Sequence, residues 1–109
     1  MYELGDYLLQ RGRQALGYSL PVGIRAYYAR ITGAMRRYGP NLGMPYTRAL
    51  GDELFKIRAR GKEGIARIFY CTVLRSKIVI LHGFVKKSQK TPPNELDTAR
   101  RRLNNVEKD

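Results

Sequence analysis

The sequence predicts an α+β fold in which helices pack on one face of a small antiparallel β-sheet. The first observation is a series of three apolar, β-prone runs at 54–60, 65–73 and 77–87. Short polar turns separate these runs, which is typical of an antiparallel meander. The second observation is that a stretch with a 3.6-residue apolar repeat precedes the meander and another follows it. Such repeats predict amphipathic helices that bury one side against the sheet.

Size and composition are those of one small domain. The chain has 109 residues, of which 43% are hydrophobic, so we expect a single domain over 1–109 with its own core. Its one cysteine, Cys71, lies inside an apolar run and is expected to be a buried thiol. The first residues lack the pattern of a signal peptide, and no apolar run approaches about 18 residues. We therefore expect a cytoplasmic protein.

The elements before the meander are predicted from caps and periodicity. A first strand is expected within 2–9 and a short helical turn around 13–16. The clearest helix starts with Ser19 as N-cap and Pro21 in its first turn, and Gly39 ends it. The apolar stripe of this helix is Ile24, Tyr28, Ile31, Met35 and Tyr38. A Gly- and Pro-rich loop should follow at 41–50, with a short turn at 46–50.

Within the meander, alternation assigns side chains to faces. The first run places Phe55, Ile57 and Ala59 on one side and its three cations, Lys56, Arg58 and Arg60, on the other. The runs 65–73 and 78–85 are apolar on both sides, so these strands should be covered on both faces, or on part of the second. If Arg58 lies on the open face, Arg67 is its expected cross-strand neighbour, with His82, Phe84 or Lys86 beyond.

A final helix is expected after the meander. Thr91 or Asn94 is the predicted N-cap, and the apolar stripe consists of Leu96, Ala99, Leu103 and Val106.

The charge of the chain is concentrated on the meander. The formal net charge is +12, and residues 56–90 hold ten lysines and arginines against one acid, Glu63. A domain with this charge attracts polyanions, and nucleic acid is the first of them to consider. An anionic membrane would require a basic amphipathic helix or tail, whereas the charge here lies on strands and turns. We therefore expect no membrane partner.

Several chemistries lack the residues that they require. There is no Cys/His cluster for zinc, no paired-carboxylate motif, and no phosphate-binding glycine loop. The lone His82 makes a nucleophilic triad improbable. We therefore predict neither a metal nor another cofactor.

The remaining chemistry is that of fixed positive charge. In RNA, the ribose 2′-OH can attack its own phosphate, and arginine is suited to stabilising the charge that develops. A lysine among other cations can act as a base, and His82 titrates near neutrality unless it is a buried core residue. Binding without catalysis would use the same cations, with Tyr70 or Phe84 stacking on a base. From composition alone, a nuclease and a nucleic-acid-binding module both remain open.

Two segments carry a resemblance to a known family. They are YGPNLGMPYTRALGDELFKIRARGKEGIARIFY, at 38–70, and KIVILHGFVKKSQKTPPNELDTARRRL, at 77–103. The chain resembles the RelE/ParE superfamily of type II toxins over residues 19–105, and within it the phage-derived, HigB-like branch. Its most specific part is HGFVKKSQKTP, which begins at His82.

The resemblance implies a microbial-RNase-like fold and a growth-inhibiting toxin. The implied activity is metal-independent, ribosome-dependent cleavage of mRNA, and the implied partner is an antitoxin with a helix-turn-helix domain, in a hetero-oligomer. By position, Arg67 matches the family's phosphate-binding arginine. Arg58 and Arg60 match its preceding basic strand, and Lys86, Lys87 and Lys90 match its basic C-terminal strand end.

Together, these inferences assign two groups of site residues. The expected catalytic residues are Arg67, Arg58, Lys86 and His82. The expected RNA-binding residues are Lys56, Arg60, Lys62, Tyr70, Phe84, Lys87 and Lys90.

Two alternatives stay open beside the nuclease. The chain lacks the C-terminal catalytic tyrosine or acid/His cluster of better-known family members, so the resemblance assigns no acid or base. The superfamily also contains gyrase poisons that cleave no RNA, and fold analogy does not separate the activities. A non-nuclease gyrase inhibitor and a basic nucleic-acid-binding regulatory module are the alternatives.

Overall fold

The structure is a computed structural model, and it describes residues 1–74, 76–86 and 91–106. Five strands form one sheet: β1 (Glu3–Asp6), β2 (Thr47–Gly51), β3 (Leu54–Gly61), β4 (Gly64–Val73) and β5 (Lys77–Val85). Their order in the sheet is β1-β5-β4-β3-β2. The helices are α1 (Tyr7–Gln10), α2 (Val22–Tyr38) and α3 (Pro93–Asn104), with a 3₁₀ turn at Leu16–Ser19.

The predicted α+β class is confirmed, and the three runs of the meander are β3, β4 and β5. The sheet is mixed, because β1 pairs in parallel with β5 while the other pairs are antiparallel. The first strand is shorter than the predicted span 2–9, because Asp6 ends it and caps α1. The Asp6 carboxylate accepts hydrogen bonds from the amides of Leu8 and Leu9, at 3.0 and 3.2 Å. It also accepts one from the amide of Leu16, at 3.0 Å, which ties the 3₁₀ turn to the strand end.

The sheet buries apolar side chains on both faces. On the first face, α2 packs with Ile24, Tyr28, Ile31 and Met35 against β3, β4 and β5. On the second face, Ala99 and Leu103 of α3 pack against one half of the sheet. The fold prediction assumed that all helices pack on one face of the sheet. In the structure, α2 packs on the first face and α3 on the second. The coverage of β4 and β5 on both faces follows their apolar composition and was expected from it. Cys71 is buried in the second cluster, as predicted.

The stripe of α2 is confirmed except at its last position. Tyr38 is 74% exposed, because the helix ends there and Gly39 turns the chain away with a φ of +124°. The predicted caps at the start of the helix are wrong. The Ser19 hydroxyl donates to the Leu16 carbonyl, and Pro21 stands just before the helix. Glu63, in the β3–β4 turn, caps α2 instead: its carboxylate accepts from the amides of Gly23 and Ile24, at 2.8 and 3.2 Å.

Replacing Glu63 with glutamine is expected to lower the melting temperature at neutral pH, because an uncharged group binds the α2 N-terminus less strongly. The hydrogen bond from Gly23 is the main cause that lowers the pKa of the Glu63 carboxyl below its ordinary value. A depressed pKa means that the stabilisation is present above the ordinary value and is lost as the pH falls through the lowered one. The difference in melting temperature between wild type and Glu63→Gln should therefore shrink on acidification. A difference that does not change with pH would contradict this role.

Two predictions next to the meander need correction. The expected turn at 46–50 is the edge strand β2, which pairs with β3 and places buried Thr47 opposite Ile57. Neither Thr91 nor Asn94 caps α3, because Pro92 occupies the N-cap position. The stripe of α3 is confirmed for Leu96, Ala99 and Leu103, of which Ala99 and Leu103 are buried. Its predicted last member, Val106, packs on the same cluster but lies beyond the helix, which ends at Asn104.

Candidate nucleic-acid interface

The half of the second sheet face that α3 leaves uncovered carries a cluster of cations. In β3, Arg58 lies opposite Arg67 of β4, and Arg67 lies opposite Phe84 of β5. This is the cross-strand relation that alternation predicted. We define the basic face by five residues: Arg48, Lys56, Arg58, Arg67 and Lys86. Strands β3, β4 and β5 contain no Asp or Glu, so they supply no compensating charge.

The flanking members of the basic face are fixed by backbone pairing. Arg48 lies in the edge strand β2, opposite Lys56 of β3. Lys86 follows β5 directly, and its amide donates a 2.7 Å hydrogen bond to the Ile65 carbonyl of β4. These contacts hold four adjacent strands in register. The spacing of the charges is therefore set by the sheet.

Partial burial and the repulsion between neighbouring cations disfavour the charged forms of Lys56, Arg67 and Lys86. Burial first, and then the charges of Arg67 and Arg48, lower the pKa of Lys56 below its ordinary value. Burial and the charges of Arg67 and Arg58 lower the pKa of Lys86 in the same way. Burial and the charges of Arg58 and Arg48 also lower the pKa of Arg67. A bound anion would relieve this repulsion, so the face is suited to a phosphate.

Arg67 also connects the basic face to α3. Its Nη1 donates to the hydroxyl of Thr91, which lies just before that helix. Lys56 and Arg67 line a common cavity of about 170 Å³ between β3, β4 and α3. The Nη1 atom of Arg67 is therefore held by Thr91, and the guanidinium borders a cavity that a ligand could enter.

His82 lies on the same sheet face but under α3. Its Nε2 is 3.0 Å from Oε1 of Glu95, and its ring is parallel to that of Phe69, with 6.4 Å between centroids. The side chain is only 17% exposed. These contacts favour the interpretation as a core histidine, and they separate His82 from the Arg58–Arg67 pair.

The two aromatic residues expected to stack on RNA differ in position. Phe84 is partly buried on the side of the basic face and stacks on Phe69, with 6.2 Å between centroids. Tyr70 is fully buried on the opposite face, where its ring stacks on Phe55. The prediction that Tyr70 binds RNA is therefore wrong. Alternation along β4 places it against α2, and its hydroxyl donates a 2.5 Å hydrogen bond to the Pro40 carbonyl.

Replacing Tyr70 with phenylalanine is expected to destabilise the fold without changing RNA binding. The substitution removes the hydrogen bond to Pro40 in a site so enclosed that burial raises the pKa of Tyr70 to about 12. Loss of a buried partner costs about 1–3 kcal/mol. Urea unfolding measures the loss, and a filter-binding assay measures RNA affinity. A weaker affinity at an unchanged free energy of unfolding would instead mean that the Tyr70 hydroxyl contacts the RNA.

The remaining predicted site residues lie at the edge of the interface or outside the described residues. Arg60 is exposed near the end of β3, opposite Ile65, and Lys62 is exposed in the β3–β4 turn. Lys87 and Lys90 lie outside the described residues. Arg48 was not predicted as a site residue, because it falls within the segment 46–50 that was expected to form a turn. Had this segment been interpreted as a strand, alternation would have paired Arg48 with a cation of β3.

Two further findings concern metals and membranes. Within 1–74, 76–86 and 91–106, no group of three or more His, Cys, Asp or Glu side chains is placed to hold a metal ion. No helix in that part of the chain is long and apolar enough to cross a membrane.

The structure is thus that of a small α+β protein whose sheet carries a cluster of cations on one face. The family model "Phage derived protein Gp49-like (DUF891)" matches residues 18–104, and the chain belongs to this family. It is a family of RelE-like toxins, associated with RNase activity at the family level and with an antitoxin partner. No curated protein matches the chain significantly.

Proposed function

We propose that the chain is the toxin of a type II toxin–antitoxin system and cleaves mRNA on the ribosome, within the HigB-like branch of RelE toxins. The observation that carries the proposal is the cross-strand pair Arg58–Arg67 at the centre of the basic face. The strands β3, β4 and β5 contain no Asp or Glu that would neutralise this pair. Two guanidinium groups on neighbouring strands offer planar pairs of donors to one phosphodiester. Cleavage of the message would stop translation and growth.

The reaction that fits this face uses the RNA itself as the nucleophile. The 2′-oxygen forms a bond to the adjacent phosphorus, and the bond to the 5′-oxygen of the next nucleotide breaks. The products are a 2′,3′-cyclic phosphate and a 5′-hydroxyl, so no water or metal ion enters the step. Arg67, supported by Arg58, would stabilise the added negative charge on phosphorus. Fixed donors of this kind are often the largest contribution to catalysis.

The two lysines are suited to the proton transfers. Lys56 borders the same cavity as Arg67, and its lowered pKa increases the fraction of neutral amine. It would accept the proton of the 2′-OH. Lys86, on the other side of Arg67, is an ammonium with a lowered pKa and would donate a proton to the departing 5′-oxygen. This assignment provides an acid and a base without the tyrosine or acid/His cluster of other members.

The proposed partner is an antitoxin with a helix-turn-helix domain and an acidic segment that covers the basic face. Complementary charge would make this hetero-oligomer salt-sensitive. Charge reversal at Arg58 should weaken antitoxin binding, measured by calorimetry at two salt concentrations. An affinity that is indifferent to both salt and charge reversal would count against this mode. We propose the cytoplasm as the location of both proteins.

The proposed function is tested by inducing the chain without its antitoxin and mapping new 5′ ends on cellular messages. We expect growth arrest and cuts inside translated codons. Intact messages would contradict the proposal. A DNA-damage response with continuing translation would instead support the gyrase inhibitor, and normal growth with salt-dependent nucleic-acid binding would support a regulatory module.

A further inference from the structure

A row of four side chains crosses the sheet through the basic face. Arg58 lies opposite Arg67, and Arg67 lies opposite Phe84. On its other side, the amide of Arg58 donates a 3.0 Å hydrogen bond to the carbonyl of Tyr46, the residue just before β2. This bond continues the register of β2 on β3 by one residue. Tyr46 is therefore the cross-strand neighbour of Arg58, and an aromatic residue stands at each end of the arginine pair.

The ring of Tyr46 is accessible on the same face as the cations. The next residue, Thr47, is buried toward the first face, so alternation turns Tyr46 and Arg48 toward the second. Tyr46 also borders one depression of the surface together with Arg48 and Arg58. It is 41% exposed. Among the residues that the structure describes, no other ring or guanidinium stacks on it. An aromatic surface therefore adjoins the basic face.

The loop that carries Tyr46 is held by its own hydrogen bonds. The amide of Tyr46 donates to the Gly43 carbonyl at 3.0 Å. The Thr47 hydroxyl donates to Oδ1 of Asn41 at 2.7 Å and accepts from the Gly43 amide at 2.9 Å. The backbone at Tyr46 thus needs little ordering when a ligand binds, which lowers the entropic cost of a contact with its ring.

We propose that RNA crosses the strands of the sheet and that the base next to the bound phosphate stacks on Tyr46. Arg58 and Arg67 hold the phosphate, and the Cβ atoms of cross-strand neighbours are about 5 Å apart, so an attached base reaches the ring of Tyr46. Such stacking accepts any base, because every base has a π face. The inference rests on the proposed function only in taking RNA as the ligand. It assigns Tyr46 as a further RNA-binding residue.

The test measures binding of the purified full chain to two labelled, single-stranded octamers by fluorescence anisotropy. One is a uridine octamer with every 2′-hydroxyl methylated, so that it cannot be cleaved, and the other has the same backbone without bases. Tyr46→Ala should weaken binding of the uridine octamer by about tenfold, a typical loss for one stacked base. It should leave binding of the abasic octamer unchanged. Tyr46→Phe should bind both like wild type, whereas Tyr46→Leu, which keeps apolar bulk, should behave like Tyr46→Ala.

The salt dependence of binding separates stacking from charge. Tyr46→Ala should leave the slope of log affinity against log salt concentration unchanged. Arg58→Ala should reduce the magnitude of that slope by about 0.7, the value of one phosphate contact on a single strand.

Tyr18→Ala is the matched control. Tyr18 is 63% exposed, but it lines a cavity with Tyr28 of α2, which packs on the first face. Its variant should bind both octamers like wild type. An equal loss for both octamers in Tyr46→Ala, or no loss for either, would overturn this inference and leave the nuclease in place. The expected binding by a wild type that makes no cuts in cells would overturn the proposed function and support the stacking role of Tyr46.

Discussion

Replacing Arg67 with alanine is expected to reduce the rate of RNA cleavage by about 10²–10³-fold, the usual cost of losing one charge-stabilising donor. Arg67 stands at the centre of the basic face, opposite Arg58 on one side and Phe84 on the other. Its guanidinium is held by Thr91, so the donors are positioned before the substrate arrives. Arg67→Lys should recover only part of the rate, because an ammonium does not offer two parallel donors. Single-turnover cleavage of a ribosome-bound message measures both variants.

The control for lost charge is Arg101→Ala. Arg101 is an exposed cation in the last turn of α3, away from the basic face. Its removal lowers the net charge by the same amount and should leave the rate within about twofold, as for most surface substitutions. Equal losses in Arg67→Ala and Arg101→Ala would mean that the chain acts through net charge alone.

Replacing Lys56 with methionine is expected to reduce cleavage by about 10²–10⁴-fold, the contribution typical of a positioned base. Methionine keeps the apolar stem beside Phe69 and removes the amine. In the wild type, activity requires neutral Lys56 and protonated Lys86, so the rate should rise with pH through the lowered pKa of Lys56 and fall again as Lys86 loses its proton. Lys56→Met should lose this rise. Rate–pH profiles of single-turnover cleavage measure the effect.

Arg48→Ala provides an independent check of the pH profile. The charge of Arg48 is one of the causes that lower the pKa of Lys56. Its removal should return that pKa toward the ordinary value and shift the rise to higher pH. Lys77→Met, at the start of β5 and outside the basic face, serves as the control lysine and should keep the wild-type profile. A wild-type profile in Lys56→Met would exclude Lys56 as the base.

Sequence patterns predicted the strands of the meander and the two main helices because their apolar periodicities are long and regular. Alternation also separated Lys56 and Arg58 from the core-facing Ile57. Patterns failed where a distant group decides the local structure. The start of α2 is capped by Glu63, which lies 40 residues further along the chain than Gly23, and nothing near Ser19 indicates this.

The orientation of β5 is the clearest case of information that the pattern does not contain. A bulge opposite Phe69 and Tyr70 adds one residue to β5, so Leu81 and His82 both lie on the second face. Without the bulge, strict alternation would turn Phe84 and Lys86 toward α2. An extra residue in a continuously apolar run leaves no periodic signal. The same limit explains Tyr70, whose apolar neighbours on both sides conceal the face that it occupies.

The most direct test of the central claim is cleavage of a ribosome-bound message that carries one 2′-deoxynucleotide at a mapped cut site. If the basic face acts by positioning the RNA's own 2′-OH, the protein should cut the all-RNA message and leave 2′,3′-cyclic phosphate or 3′-phosphate and 5′-hydroxyl ends. It should fail to cut at the modified position. Cleavage of the deoxy-substituted site at the normal rate, with 5′-phosphate ends, would contradict the account.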